Sequence, residues 1–231
     1  MNLLQFLLPQ PTPRALTELK PVLYSPDISF SKPLYLMYRS VVKCEEDRPR
    51  FNAHTLRYDI TFIPPADLGG EYVKTKGHYH PESSAGVGYP EIYEVLEGRA
   101  HFLLQKKNLD DVVLVRATTG DLVYIPPGYG HVTINPSLDE TLTMANLVST
   151  RFESEYGEYE RLRGAAYYEL MGERLVKNPS YPTVPEIQVV DADKCPRPWE
   201  GSHASLYDFV GDDAIALLLN YPEKFAGRFA I

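Results

Sequence analysis

The sequence predicts an all-β fold, an antiparallel sandwich or jelly-roll barrel, with an N-terminal arm and a C-terminal extension. Between residues 34 and 150, short runs rich in β-branched and aromatic residues recur at close spacing, divided by Gly, Pro, Asn and Asp. No helix-period apolar pattern interrupts residues 55–150, which argues against a doubly wound parallel sheet. The 231 residues suffice for one good-sized core with appended segments.

Residues 1–33 read as the arm. The first eight residues are apolar but short. They lack a basic leading region and a small-residue cleavage site, so no signal peptide is expected. Residues 9–33 are punctuated by proline and leave room for one short helix. Residues 34–150 are the barrel. Its first strand is expected at 34–42. The second, at 55–63, alternates around Tyr58, Ile60 and Phe62 and stops at Pro64-Pro65. A third follows at 72–79. Strands at 91–96 and 99–107 flank Glu97-Gly98, a tight turn between paired strands. Four more are expected at 112–117, 121–125, 131–135 and 141–150. After Tyr156 the texture changes. Pro179, Pro182, Pro185, Pro196 and Pro198 suit an extended segment over 178–198. Residues 205–221 suit either a strand pair or a short helix. Residues 151–231 are read as an extension that packs on the barrel or on a partner subunit.

Composition excludes some functions. The chain is 44% hydrophobic and 23% charged, with 23 basic against 31 acidic residues and a net charge of −8. A nucleic-acid surface needs a basic face, so no nucleic-acid partner is expected. No run approaches the roughly 20 apolar residues that span a bilayer, so no membrane partner is expected. Cys44 and Cys195 lie far apart and fit no zinc spacing; they suit a reduced, cytoplasmic protein.

Candidate chemistry concentrates in two stretches. The first runs Lys76-Gly77-His78-Tyr79-His80 and, after a loop, reaches Glu91 and Gly98. The second runs from Gly120 through Pro126, Gly128 and His131 to Asn135. His78 and His80 are two apart, so on a strand both rings face one way. Glu91 and His131 arrive from other strands. A lone His on a strand is more often a structural residue than a ligand. Three imidazoles and a carboxylate in this order, with turn residues between them, suit a divalent first-row transition metal. Such a set leaves positions open on a six-coordinate ion for water or substrate.

The second stretch matches Gly-x5-Pro-x-Gly-x2-His-x3-Asn at every specified position and resembles the second motif of the cupin superfamily. The first stretch resembles that superfamily's first motif at His78, His80, Glu91 and Gly98. It departs in the ten residues, 81–90, between His80 and Glu91, where the motif has three or four. Those residues read as a loop insertion and leave Glu82 as a rival carboxylate. The resemblance implies a cupin barrel with one divalent metal per subunit on His78, His80, Glu91 and His131. Fe2+ is the ion expected first, and Mn2+, Ni2+, Co2+ or Zn2+ are compatible. His54, His101 and His203 match no ligand position and are read as structural or surface residues.

Thr75-Lys76-Gly77-His78-Tyr79-His80, followed by Glu91-Ile92-Tyr93, is similar to the signature of the cupin-type glucose-6-phosphate isomerases of archaea and some bacteria. The resemblance covers roughly residues 34–160. Thr61, the Tyr35-to-Tyr38 strand and the Tyr156-Gly157 pair agree with it. It implies an aldose–ketose isomerase interconverting glucose 6-phosphate and fructose 6-phosphate. Thr61, Thr75, the Gly77 backbone, Tyr35 and Tyr156 would hold the sugar phosphate, Lys76 would add charge, and Tyr93 would line the pocket near the metal. Glu91 is the candidate base, although it is also a ligand, and a hydride shift between carbons is the alternative. Each phosphate residue also has a plainer reading: Thr is common in strands, Gly77 can mark a bulge, and Lys76 can be a solvated side chain. Two departures concern the far side of the pocket. Ser154 stands where some members carry His, and Pro127-Gly128-Tyr129-Gly130 replaces bulkier aromatics.

Two other functions compete. A cupin dioxygenase would use the same three-His, one-Glu set with iron, but has no need of Thr61, Thr75 and Lys76. A non-catalytic sugar-binding cupin would not need every ligand retained. An open barrel leaves unpaired strands, and the Pro- and Leu-rich arm suits exchange across a two-fold axis, so a homodimer is expected.

Overall fold

The computed structural model describes residues 5–199 and 205–225; the first four residues of the apolar start, and His203, lie outside the described residues. In chain order the strands are β1 (Thr12–Arg14), β2 (Tyr35–Tyr38), β3 (Leu56–Ile63), β4 (Glu91–Glu97), β5 (Arg99–Lys106) and β6 (Val112–Thr118). They continue as β7 (Leu122–Ile125), β8 (Tyr129–Ile134), β9 (Leu142–Ser149), β10 (Tyr167–Leu170), β11 (Arg174–Lys177) and β12 (Gln188–Asp191). The α-helices are short: α1 (Leu16–Leu19), α2 (Arg48–His54), α3 (Gly157–Arg161) and α4 (Asp213–Asn220). As expected, no helix falls between residues 55 and 150.

Two sheets make the barrel, and the fold is all-β with almost entirely antiparallel pairing. One runs β1-β2-β3-β9-β4-β7, the other β12-β6-β5-β8, and β10 and β11 form a separate hairpin. All pairings in the first sheet are antiparallel. Gly98 closes the β4–β5 turn at φ +86°, a left-handed conformation in which a side chain would be strained. The apolar stripe of the second sheet, including Phe102, Leu104, Val113 and Val115, fills the barrel together with Ile63, Val95 and Ile125 of the first.

The first sheet is buried on both faces, and this decides which side chains meet the interior. Tyr58 and Ile60 of β3 turn outward with Ile92 and Leu147, and join a second core cluster with Leu206, Phe209, Ile215 and Leu219. That outer layer comes from the C-terminal residues and from α2. With period two, the complementary set of β3 – Arg57, Asp59 and Thr61 – faces the barrel interior, where Arg57 and Thr61 line a cavity and Asp59 is buried between Arg39 and Arg57. The alternation read from the sequence was therefore the outward face, and the polar set is the interior one.

Several elements differ from the sequence expectation. Residues 72–79 form no continuous strand. They run beside β8 through isolated bridges, Lys74 to Ile134 and His78 to His131. The first barrel strand is only β2, because Ser40 takes φ 58° and turns the chain. The open choice over 205–221 resolves to a 3-10 turn at Leu206–Phe209 and then α4, whose N-cap Asp212 accepts from Ala214 N and Ile215 N. The Pro-rich segment supplies β12, parallel to β6, with Arg116 paired to Asp191 at 2.8 Å. In the arm, β1 pairs with β2 and α1 buries Leu16 and Leu19. Among the described residues no helix is long and apolar enough to cross a membrane.

If the C-terminal layer is part of one cooperative unit, cutting into it destabilises the whole barrel. Phe209 is fully buried there. Phe209→Ala is expected to cost about 3–5 kcal/mol in urea unfolding. Leu138→Ala, at a side chain 58% exposed, should cost no more than about 0.5 kcal/mol. A near-neutral Phe209→Ala would show that the layer unfolds separately.

Candidate metal centre

The bridge between His78 and His131 sets the centre. His78 N donates to His131 O at 3.3 Å and His131 N to His78 O at 3.0 Å, so the two residues sit opposite each other on neighbouring strands. Their rings are 4.3 Å apart. The chain reaches His78 through Gly77 at φ +79°, and a Cβ there would come within 2.6 Å of Val132 and 2.7 Å of the Tyr159 ring. Only glycine lets the backbone pass so close while the next residue turns inward. Glu91 enters from the first sheet as the first residue of β4, opposite Ile125 and Val148.

One ligand atom from each of His78, His80, Glu91 and His131 lies within 4.8 Å of the others. His78 Nε2 and His80 Nε2 are 3.1 Å apart. Glu91 Oε2 lies 3.2 Å from His131 Nε2 and 3.4 Å from His80 Nε2. Ligands about 2.1 Å from a first-row ion sit about 3 Å from one another at right angles. The spacing fits that requirement. So does a buried orphan: Glu91 Oε2 has no hydrogen-bond partner, while Oε1 accepts from Asn146 Nδ2 at 2.7 Å.

The protonation states also suit a cation. Burial, reinforced by the rings of His131 and His80, holds His78 well below the ordinary imidazole range. Burial lowers His131 too, against the pull of Glu91. For Glu91 burial opposes ionisation, but the imidazoles of His131 and His80 outweigh it and hold the carboxyl well below its usual range. At neutral pH burial thus keeps the His78 and His131 rings neutral beside an ionised Glu91, the form that suits metal binding. His80 Nδ1 lies 2.8 Å from Tyr89 O, which places its proton there and leaves Nε2 a lone pair. Tyr89 belongs to the 81–90 loop, and Phe152 stacks on it at 4.7 Å and meets the His80 ring at 4.5 Å. The insertion therefore orients a candidate ligand. Glu82 is exposed, bridges Gly88, and takes no part in the cluster.

A cavity of about 370 Å³ opens onto the centre. Tyr35, Thr61, Thr75, Lys76, Gly77, Tyr93 and Tyr156 all line it, whereas His131 lies behind it, fully buried. Tyr93 Oη is 3.1 Å from His131 Nε2. Tyr35 Oη accepts from Lys76 N at 3.3 Å, and burial pushes its hydroxyl up to about 12, so it stays protonated. Thr75 Oγ1 accepts from Thr133 N at 2.9 Å, which leaves its O–H to donate. Lys76 Nζ is 2.5 Å from Glu160 Oε1 and lies over the Tyr156 ring. Ser154 lines the cavity beside Glu153. His101 is a buried partner of Glu169 at 2.7 Å, and His54 pairs at the surface with Arg50 O and Asp213.

Sequence reasoning missed Asn146, Arg14, Arg39 and Arg57, all of which line the cavity. Asn146 had a signal: a lone amide inside the apolar run of β9. Arg57 had one only once the inward face of β3 is known; Arg14, on β1, and Arg39, just after β2, had none.

The chain matches the glucose-6-phosphate isomerase (GPI) family over residues 15–186. It is 34% identical over 80 residues to the glucose-6-phosphate isomerase of Thermococcus litoralis, covering 35% of this chain and 40% of the relative. It is 30% identical over 128 residues to that of Pyrococcus abyssi, covering 54% of this chain and 65% of the relative. The chain thus spans about half the length of the curated relatives it matches.

Asn146→Ala frees Oε1 of Glu91 and is expected to weaken metal binding by about 10–100-fold, read by competition with a chromophoric chelator. Gly77→Ala forces a left-handed residue and a clash; it should cost about 1–3 kcal/mol and lower the metal content per chain. Wild-type metal affinity in Asn146→Ala would remove the amide from the centre.

Proposed function

This chain belongs to the glucose-6-phosphate isomerase family, and we propose that it interconverts glucose 6-phosphate and fructose 6-phosphate with one divalent first-row ion per subunit, Fe2+ first among them. The observation that carries this reading is the sharing of one cavity. His78, His80 and Glu91 of the cluster, with His131 behind them, face the same 370 Å³ space as Thr61, Thr75 and Lys76. A dioxygenase acting on a neutral substrate has no use for that second group.

When bound, the ion would polarise the sugar oxygens at C1 and C2 and stabilise negative charge developing on them. The protein's own residues do the rest. Thr61, Thr75, the Gly77 backbone and Lys76 hold the phosphate end, and Tyr35 and Tyr156 border it. Buried Tyr93 keeps its proton, because burial and then the charge of Glu91 raise it well above the usual phenol range. It can therefore donate a hydrogen bond toward a sugar oxygen. In a proton-transfer route Glu91 takes the proton from C2 and returns it to C1 while the O2 hydroxyl proton passes to O1. Asn146 holds Oε1, so the oxygen that would act is Oε2. The competing route moves the hydrogen from C2 to C1 as a hydride while the O2 hydroxyl proton passes to O1, and Glu91 then would serve only to hold the ion.

Two free thiols, Cys44 and Cys195, support a reducing cytoplasmic location. A homodimer is proposed from the open edges of the first sheet, and sedimentation velocity checks it.

The decisive assay follows fructose 6-phosphate formation from glucose 6-phosphate with chelator present, then after adding back single metals. Chelation is expected to abolish turnover, with Fe2+ restoring it best. Glu91→Gln should lower kcat by at least about 10²-fold. Solvent deuterium in the product supports Glu91 as base, and its absence supports the direct shift. A metal-replete protein that consumes oxygen but forms no ketose would sink the reading.

A further inference from the structure

We propose that Arg14, carried by the N-terminal arm, is a substrate-specificity residue whose guanidinium binds the dianionic phosphate of the sugar alongside Lys76. The inference rests on the isomerase reading and deepens it.

Placement comes first. Arg14 is the last residue of β1 and pairs with Tyr35 of β2, which brings its side chain into the cavity. Its Cζ lies 5.9 Å from the Tyr35 ring and 5.8 Å from the Tyr156 ring. Lys76 Nζ lies 5.3 Å from that same Tyr156 ring. Two cations therefore flank one tyrosine at the end of the cavity where Thr75 and Gly77 also sit.

Spare hydrogen-bonding capacity comes second. A guanidinium has five N–H donors in a plane. Arg14 donates one through Nη1 to Glu18 Oε1 at 2.7 Å. Its Nε is buried and has no partner among the described residues. A buried donor without an acceptor is costly, and an anion entering the cavity supplies the acceptor. The fork geometry suits phosphate oxygens.

Positioning comes third. The Glu18 carboxylate also accepts from Ala15 N at 3.0 Å, so the first turn of α1 fixes the group that fixes Arg14. Arg39 and Arg57 are held by one shared carboxylate, the buried Asp59, at 2.7 and 2.9 Å, whereas the Glu18 partner of Arg14 is 43% exposed. Thr61, Thr75 and the Gly77 backbone are neutral, so they cannot by charge tell a phosphorylated sugar from a free one. That discrimination falls to Arg14 and Lys76.

The test uses the full-length, metal-loaded chain. Arg14→Met is expected to raise KM for glucose 6-phosphate by about 10–100-fold while kcat changes by less than about threefold. The inhibition constant of inorganic phosphate should rise in parallel, and Arg14→Lys should recover part of both. Glu18→Gln keeps an acceptor for Ala15 N but removes the competing charge; it should tighten phosphate or leave it unchanged. Arg14→Met with wild-type KM overturns the proposal and leaves the isomerase standing. Glu18→Gln weakening phosphate as much as Arg14→Met also overturns it, since both would then act through packing of the arm. If the wild-type protein binds glucose 6-phosphate calorimetrically without turnover, the isomerase reading falls. The same variants then test Arg14 through Kd. A wild-type chain that binds no sugar phosphate overturns both.

Discussion

The site depends on keeping one anion, Glu91, inside a barrel. The residue is 3% exposed. Asn146 satisfies one oxygen, and the other looks at His80 and at His131, which burial keeps neutral. A neutral ring does not balance a buried charge, and a buried charge without a partner is expensive. The Nε2 atoms of His78 and His80 also face each other, at 3.1 Å. A divalent cation among these groups would neutralise the carboxylate and take the ring nitrogens as ligands.

Such a set has to be assembled by elements rigid enough to hold it. The backbone bridge between His78 and His131 fixes two rings before any side chain chooses a rotamer. β4 brings Glu91 from the opposite sheet, where β9 pairs along it and offers Asn146 opposite Tyr93. The first sheet stays apolar on its far face because α2, Leu206–Phe209 and α4 cover it. This two-sided burial frees the inner face to be polar. In a sheet with only one buried face, Arg57, Asp59 and Thr61 would have to yield to apolar residues to make a core. The C-terminal layer thus takes over core formation from the strands that carry the chemistry.

How far the sequence could be read follows from the same geometry. His78 and His80, Glu91, His131 and Asn135 were legible because their spacing reflects strand periodicity and turn residues, both local. Asn135 plays the role its position suggests, donating to Ile63 O and Glu140 O to lock the end of β8. The β4–β5 turn was legible at Gly98 for the same reason. The facing of β3 was not. Tyr58, Ile60 and Phe62 look like a core stripe, and two of them are core, but of the outer layer. Which face is the inside is a question of what covers the sheet, and the covering residues arrive some 150 positions later in the chain. Residues 72–79 were overread as one strand because a bulge at Gly77 leaves the β-rich composition intact while breaking the ladder. Arg14 carried no local signal at all, since nothing in the arm announces its pairing with Tyr35.

Charge across the cavity completes the logic. Every cation that lines it has a carboxylate partner: Glu18 for Arg14, Asp59 for Arg39 and Arg57, Glu160 for Lys76. Paired side chains have lost most of their rotamer freedom before any ligand arrives, so an incoming anion meets fixed donors and does not have to order them. Pairing also lowers the positive potential. The balance between those two effects is set by stoichiometry. Asp59 is shared by two guanidiniums, which leaves the Arg39–Asp59–Arg57 group one charge in surplus beside Glu91 and the metal ligands. Arg14 and Lys76 are held one to one at the other end. The surplus offsets the buried carboxylate of Glu91. The pairs of Arg14 and Lys76 carry no such surplus. Each of the four cations that line the cavity is thereby oriented by a carboxylate that does not itself line it.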